Sequence, residues 1–156
     1  MNYYSKIKEQ LLSNEIYKKV KDYSKNKNEL ETYYNVGKLI IDAQGGEVRA
    51  KYGDNLIREY SKKLSVEVGK KYNERTLRRI RQFYILFKDR NWSTLSTNLT
   101  WSHYVELLKF YDVNEINYYM NISEIQKLGV RELRNKIKNK EYKKYKSRKN
   151  YRNNNM

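Results

Sequence analysis

Residues 70–87 read KKYNERTLRRIRQFYILF, and how this stretch folds decides how the rest of the chain is read. A basic turn, Lys70-Lys71, leads to Asn73, a residue suited to cap a helix. At about 100° per residue, Leu77, Ile80, Tyr84 and Phe87 fall within an arc of roughly 80°. Arg75, Arg78, Arg79 and Gln82 fall within a separate arc of roughly 100° on the opposite side. The spacing predicts a helix that buries one face and presents guanidinium forks on the other. Such forks match phosphate oxygens and the major-groove edge of guanine. A solvated basic face on an ordinary core helix has the same pattern, so the helix has to be read with its neighbours.

Immediately upstream, Leu56, Ile57, Tyr60, Leu64 and Val68 predict a helix over residues 54–68, with Asp54 as cap and Gly69 as stop. Helix, short glycine-containing turn and basic helix make a helix-turn-helix-like pair. Residues 29–43 place Leu30, Tyr33, Tyr34, Val36, Ile40 and Ile41 on one broad face. Gly37 lies in that face, where a missing side chain lets another helix approach closely. Gln44-Gly45-Gly46 ends this helix; the strand and Lys-Ser or Lys-Thr pair of a phosphate-binding loop are missing. A first helix is expected over residues 3–26 on Ile7, Leu11, Leu12, Ile16 and Val20, with a polar break at 25–28.

Downstream, residues 88–100 form a polar loop containing Trp92. A helix then starts at Trp101 or Ser102, capped by Thr100 or Ser102, with Trp101, Tyr104, Val105, Leu107 and Leu108 on one face. The next is expected over 113–127, with Asp112 as cap and Ile116, Tyr119, Met120 and Ile125 inward. After Gly129, Val130, Leu133 and Ile137 mark a last helix over 130–138. Residues 131–156 hold eleven basic residues against two acidic, and beyond Ile137 the apolar content is nearly all tyrosine. Residues 139–156 therefore read as a basic disordered tail or linker. Its Lys143, Lys144, Lys146, Arg148 and Lys149, interleaved with tyrosines, offer a second set of nucleic-acid contacts.

The whole chain agrees with this pattern. Its 156 residues suit one domain over 1–138 and the tail over 139–156. The absence of proline and the continuous helical patterning predict an all-α, compact fold of five to seven helices. A net charge of +16 favours a polyanionic partner, nucleic acid before a membrane surface. With no cysteine and one histidine, disulfide frameworks and multi-histidine or cysteine metal sites are excluded. No apolar run reaches a membrane span, and the first residues, MNYYSKIKEQLL, lack the apolar core of a signal peptide. A soluble cytoplasmic protein is the expectation. The many Lys, Asn, Ile and Tyr residues also fit an AT-rich coding sequence, which discounts scattered lysines more than clustered arginines.

Three segments, YGDNLIREYSKKLSVEVGKKYNERTLRRIRQFYILF, LTWSHYVELLKF and GVRELRNKI, occur in an order and spacing that resemble the N-terminal domain of the YhcG family. The resemblance runs over residues 28–138 and rests most on residues 77–84, 99–104 and 130–134. It implies a helical module that looks like a DNA-binding domain and commonly precedes a nuclease domain of the PD-(D/E)XK class. The chain stops where that second domain is expected, so the resemblance implies targeting or assembly, with cutting done by a missing domain or a separate chain.

The residues themselves support no catalytic constellation. Glu141-Tyr142-Lys143 matches the short Glu-x-Lys piece of such nucleases, but no strand pattern or partner acid accompanies it. His103 lacks a nucleophile or carboxylate partner and reads as a packing or capping residue beside Trp101. No cofactor is expected. The leading reading is a DNA-binding targeting module of a nuclease-associated, defence-related system, using Lys70, Lys71, Arg75, Arg78, Arg79 and Gln82. The alternative is a protein–protein module, dimeric or docking a nuclease chain, supported by the aromatic load of 22 Phe, Trp and Tyr residues, some of them as interface anchors. RNA is the third candidate partner.

Overall fold

A computed structural model describes residues 1–20, 25–47, 53–89 and 96–154. Among these the fold is all-α, with eight helices and no strand. Trp92 and the expected end of the first helix at 21–24 lie outside the described residues. The residues group into two compact units, 1–97 and 98–156.

The first unit contains α1 (Tyr3–Val20), α2 (Lys25–Ala43), α3 (Asp54–Glu67) and α4 (Glu74–Phe87). Helix α2 is central, packing on α1 and α4, while α3 packs on α4. Its core joins Ile7 and Leu11 to Leu30, Tyr33, Val36 and Ile40, and these to Ile57, Leu64, Tyr72, Leu77, Ile80, Phe83 and Phe87. Ile16 points outward, 64% exposed, which interrupts the stripe expected on α1. Its place is taken by Asn14, buried and hydrogen-bonded from the Asn28 amide at 2.7 Å. The polar break expected at 25–28 is the first turn of α2.

Gly37 is where α2 meets α4. A Cβ there would lie 2.6 Å from the Ile80 carbonyl oxygen and 2.7 Å from the Tyr84 Cβ. Both are rigid parts of α4, so only glycine allows this approach. At the end of α2, Gly45 and Gly46 have φ of 87° and 104°, and the Gly46 N–H donates to the Ile41 carbonyl at 2.9 Å. That is the Schellman closure, which glycine enters without Cβ strain.

The second unit contains α5 (Trp101–Leu107), α6 (Val113–Ile125), α7 (Val130–Lys138) and α8 (Glu141–Asn154). Leu99, Tyr104, Leu107, Ile116, Tyr119, Met120, Leu128 and Leu133 form its core. Ile125, expected inward, is 80% exposed. Trp101 is half-buried, so the full cost of removing a buried ring does not apply to it.

His103 holds the start of α5. The Thr100 N–H donates to its Nδ1 at 3.1 Å, and its Nε2 lies 2.8 Å from the Leu128 carbonyl oxygen. With Nδ1 accepting, Nε2 carries the proton and donates. His103→Ala removes the cap partner and leaves a buried carbonyl unpaired, at a cost of about 1–3 kcal/mol. Thermal denaturation checks this; an unchanged transition would mean the bridge is not formed.

The segment expected to be a disordered tail is helical here. No residue of α8 is buried, and its sequence has no apolar stripe. Its first turn is tied to α6 and α7. The Tyr118 hydroxyl donates to Glu141 at 3.2 Å, Lys136 donates to Glu141 at 3.1 Å, and the Tyr142 N–H donates to the Tyr119 hydroxyl at 3.1 Å. Burial and the neighbouring Glu141 push the Tyr118 phenol up to about 12, so it remains a donor at neutral pH. Lys140, with φ of 54°, makes the turn between α7 and α8.

Candidate nucleic-acid interface

The basic face of α4 is built by its cap and its core. Asn73 caps the helix, its side chain accepting from the Thr76 N–H at 3.0 Å. Leu77, Ile80, Phe83 and Phe87 are buried and Tyr84 is half-buried against α2. Phe83 lies outside the stripe that the spacing marks as core. At about 100° per residue it sits roughly 40° from Arg79, so the buried arc is wider than the four-residue stripe and abuts the basic one.

Arg75 and Arg79 are exposed, as is Lys70 in the turn. Among the described residues none of these three has a hydrogen-bond or ion-pair partner. Arg78 is half-buried and donates to Glu74 at 3.1 Å, one turn back. Gln82 is half-buried, and Leu86 beside it is half-buried too, so the open part of the face is the first two turns.

Lys71 is exposed but engaged. It pairs with Glu15 of α1, and its ammonium lies 5.1 Å from the centre of the Tyr72 ring. The fully buried Tyr72 donates to the same Glu15 at 2.6 Å. Burial pushes Glu15 up, but hydrogen bonds from Lys71 and Tyr72, with the charges of Lys71 and Lys18, outweigh it and hold the carboxyl below its ordinary value. This network ties the turn to α1 and fixes where α4 begins.

Two further arginines have places that the sequence alone did not give. Arg58 of α3 reaches within 3.8 Å of Glu74, adding a guanidinium at the start of α4. Arg81 does not join the basic face; it donates to Gln44 at the end of α2 at 3.0 Å. At about 100° per residue Arg58 lies roughly 100–120° round α3 from Ile57 and Leu64, and that outward register is its sign in the sequence.

The other candidate residues, Lys143, Lys144, Lys146, Arg148 and Lys149, are all exposed on α8. They belong to the second unit. Glu141 of the Glu-x-Lys piece sits in the first turn of α8 with its carboxylate bound by Tyr118 and Lys136. Among the described residues no cluster of three His, Asp or Glu residues could hold a metal ion, and no helix is long and apolar enough to cross a membrane.

The DUF1016 N-terminal domain family matches residues 7–144. A relative from Escherichia coli (strain K12), named "Putative nuclease YhcG", is 40% identical over 58 residues, which is 36% of this chain and 16% of that protein. No solved structure matches the chain.

Proposed function

We propose a function from the premise that the chain belongs to the DUF1016 N-terminal domain family: it is a DNA-binding targeting module with no cutting activity of its own. The observation that carries this is the pair Arg75 and Arg79, exposed and without partners among the described residues, on a helix whose opposite face is core. Exposed guanidinium groups on a rigid helix lose little freedom beyond their own rotamers on meeting a phosphate chain. Helices α3 and α4 act as a helix-turn-helix-like pair, with Lys70, Arg75 and Arg79 foremost. Arg78 and Lys71 join by exchanging Glu74 and Glu15 for phosphate, and Gln82 borders the site.

The likeness to a protein named "Putative nuclease YhcG" supports association with nucleic-acid cleavage. We place the cutting on another domain or a separate chain, in a cytoplasmic system directed against foreign DNA. A second reading, an assembly module docking a nuclease chain or a second copy, is favoured by Tyr111 and Ile125, 83% and 80% exposed. Single exposed apolar residues are common on ordinary surfaces, so this ranks behind DNA binding.

Gel shifts with duplex DNA, single-stranded DNA and structured RNA at two salt concentrations separate the readings. Duplex binding that weakens steeply with salt is expected. No binding to any of the three would overturn the proposal in favour of assembly.

Removing residues 143–156 gives a further check. It deletes six cations but no buried residue, so the thermal transition moves little while nucleic-acid binding weakens. A large fall in melting temperature would show that α8 is integral to the second unit.

A further inference from the structure

We propose that the groove between α6 and α8 holds an unpaired base of a single-stranded nucleic-acid segment. The site lies wholly in the second unit and does not depend on the basic face of α4.

The groove has a volume of about 450 Å³, in the range of small-ligand clefts. Its aromatic part is a run of tyrosine rings. Tyr118 and Tyr145 stack with centroids 5.0 Å apart and planes at 30°, and Tyr142 lies 5.4 Å from Tyr118. Tyr145 is 41% exposed, which leaves ring surface for a further stacking partner. Asn121 brings an amide from α6, and Lys146 and Lys149 bring ammonium groups from α8. No acidic residue lines the groove among the described residues.

These groups fit the three parts of a nucleotide. A ring stacks on a base, an amide both donates to and accepts from a base edge, and lysines pair with the flanking phosphates. A duplex keeps its base faces covered inside the stack, whereas an unpaired base exposes a π-face to a tyrosine. An acidic peptide would use the lysines and leave the rings and amide unused. The chemistry therefore selects a single strand.

The test measures binding of a fluorescent oligo-dT and of a duplex to the full chain and to Tyr145→Ala, Tyr145→Phe and Asn121→Ala. Tyr145→Ala is expected to weaken oligo-dT binding at least about fivefold, equivalent to about 1 kcal/mol. Tyr145→Phe should retain binding, Asn121→Ala should weaken it, and duplex binding should stay within twofold in all three. If Tyr145→Ala binds oligo-dT like the parent, or if poly-glutamate displaces the oligonucleotide at equal charge concentration, the groove is only a cationic surface and the proposal fails. Photocrosslinking of a 5-iodouridine oligonucleotide to the parent chain gives a reading independent of the variants' folding. Crosslinks to Tyr118, Tyr142 or Tyr145 are expected; crosslinks confined to residues 70–82 would overturn the assignment. Loss of duplex binding on replacing the α4 arginines, with oligo-dT binding kept, would show that the two sites are separate.

Discussion

Gly37→Ala is expected to destabilise the first unit by about 1–2 kcal/mol, although alanine is the better helix former. Two effects of opposite sign compete. In an open helix the substitution would gain about 0.5–1 kcal/mol. Here the added methyl would sit 2.6 Å from the Ile80 carbonyl oxygen and 2.7 Å from the Tyr84 Cβ. Neither atom can swing away as the end of a flexible side chain can, so α2 and α4 must separate. Overpacking of this kind costs typically about 1–3 kcal/mol, which outweighs the propensity gain. Gly37→Val, larger and branched, should cost more than Gly37→Ala. Urea titrations of the two variants check the order and the sign. An alanine variant more stable than the parent would mean that the two helices do not cross this closely. Because α4 is seated on α2, the same loss should loosen the basic face and weaken DNA binding along with stability.

The features legible in the sequence are the local ones. Asn73, Thr100 and Asp112 each cap a helix where a cap is expected, because a cap is set by residues two or three positions apart. Asp54, also expected as a cap, is instead the first residue of α3, whose N-cap is Gly53 with no side-chain cap hydrogen bond. Gly37 is legible as a close approach because it interrupts an apolar face at helical spacing, although the partner helix is not. Phe83 escapes because the buried arc of α4, facing both α2 and α3, is broader than one stripe. Ile16 and Ile125 sit at helical spacing but beyond the edge of their cores, and periodicity gives direction without giving the core's extent.

Everything that depends on distant pairing is hidden. Lys71 reads as a free basic residue until Glu15 is brought beside it, and Lys18, equally basic in the sequence, is held by Glu29 at 3.1 Å. The first turn of α8 is met by Tyr118 and Tyr119, 23 residues before their partners. A segment with no apolar stripe has no local sign of such support, which is why it reads as disordered.

The most direct measurement of the central claim is duplex-DNA affinity against salt for the variant Arg75→Ala, Arg78→Ala, Arg79→Ala. Arg75 and Arg79 are exposed and Arg78 is half-buried, and none belongs to the core of Leu77, Ile80, Phe83 and Phe87, so the variant should fold like the parent. Each arginine that pairs with a phosphate should, on removal, reduce the slope of log affinity against log salt by about 0.9. Arg75 and Arg79, without partners among the described residues, should together remove about 1.8. Arg78 should remove less, because its guanidinium must first leave Glu74. If one arginine reads a base, its removal should instead cost about 1–3 kcal/mol chiefly on the preferred sequence. Lys6→Ala with Lys38→Ala is the control, two exposed lysines that line a different groove, between α1 and α2. A folded triple variant with a shallower salt slope and weaker binding than this control is the predicted result. A folded triple variant that binds duplex DNA as tightly and as steeply as the control would contradict it, leaving the basic face of α4 as solvated surface.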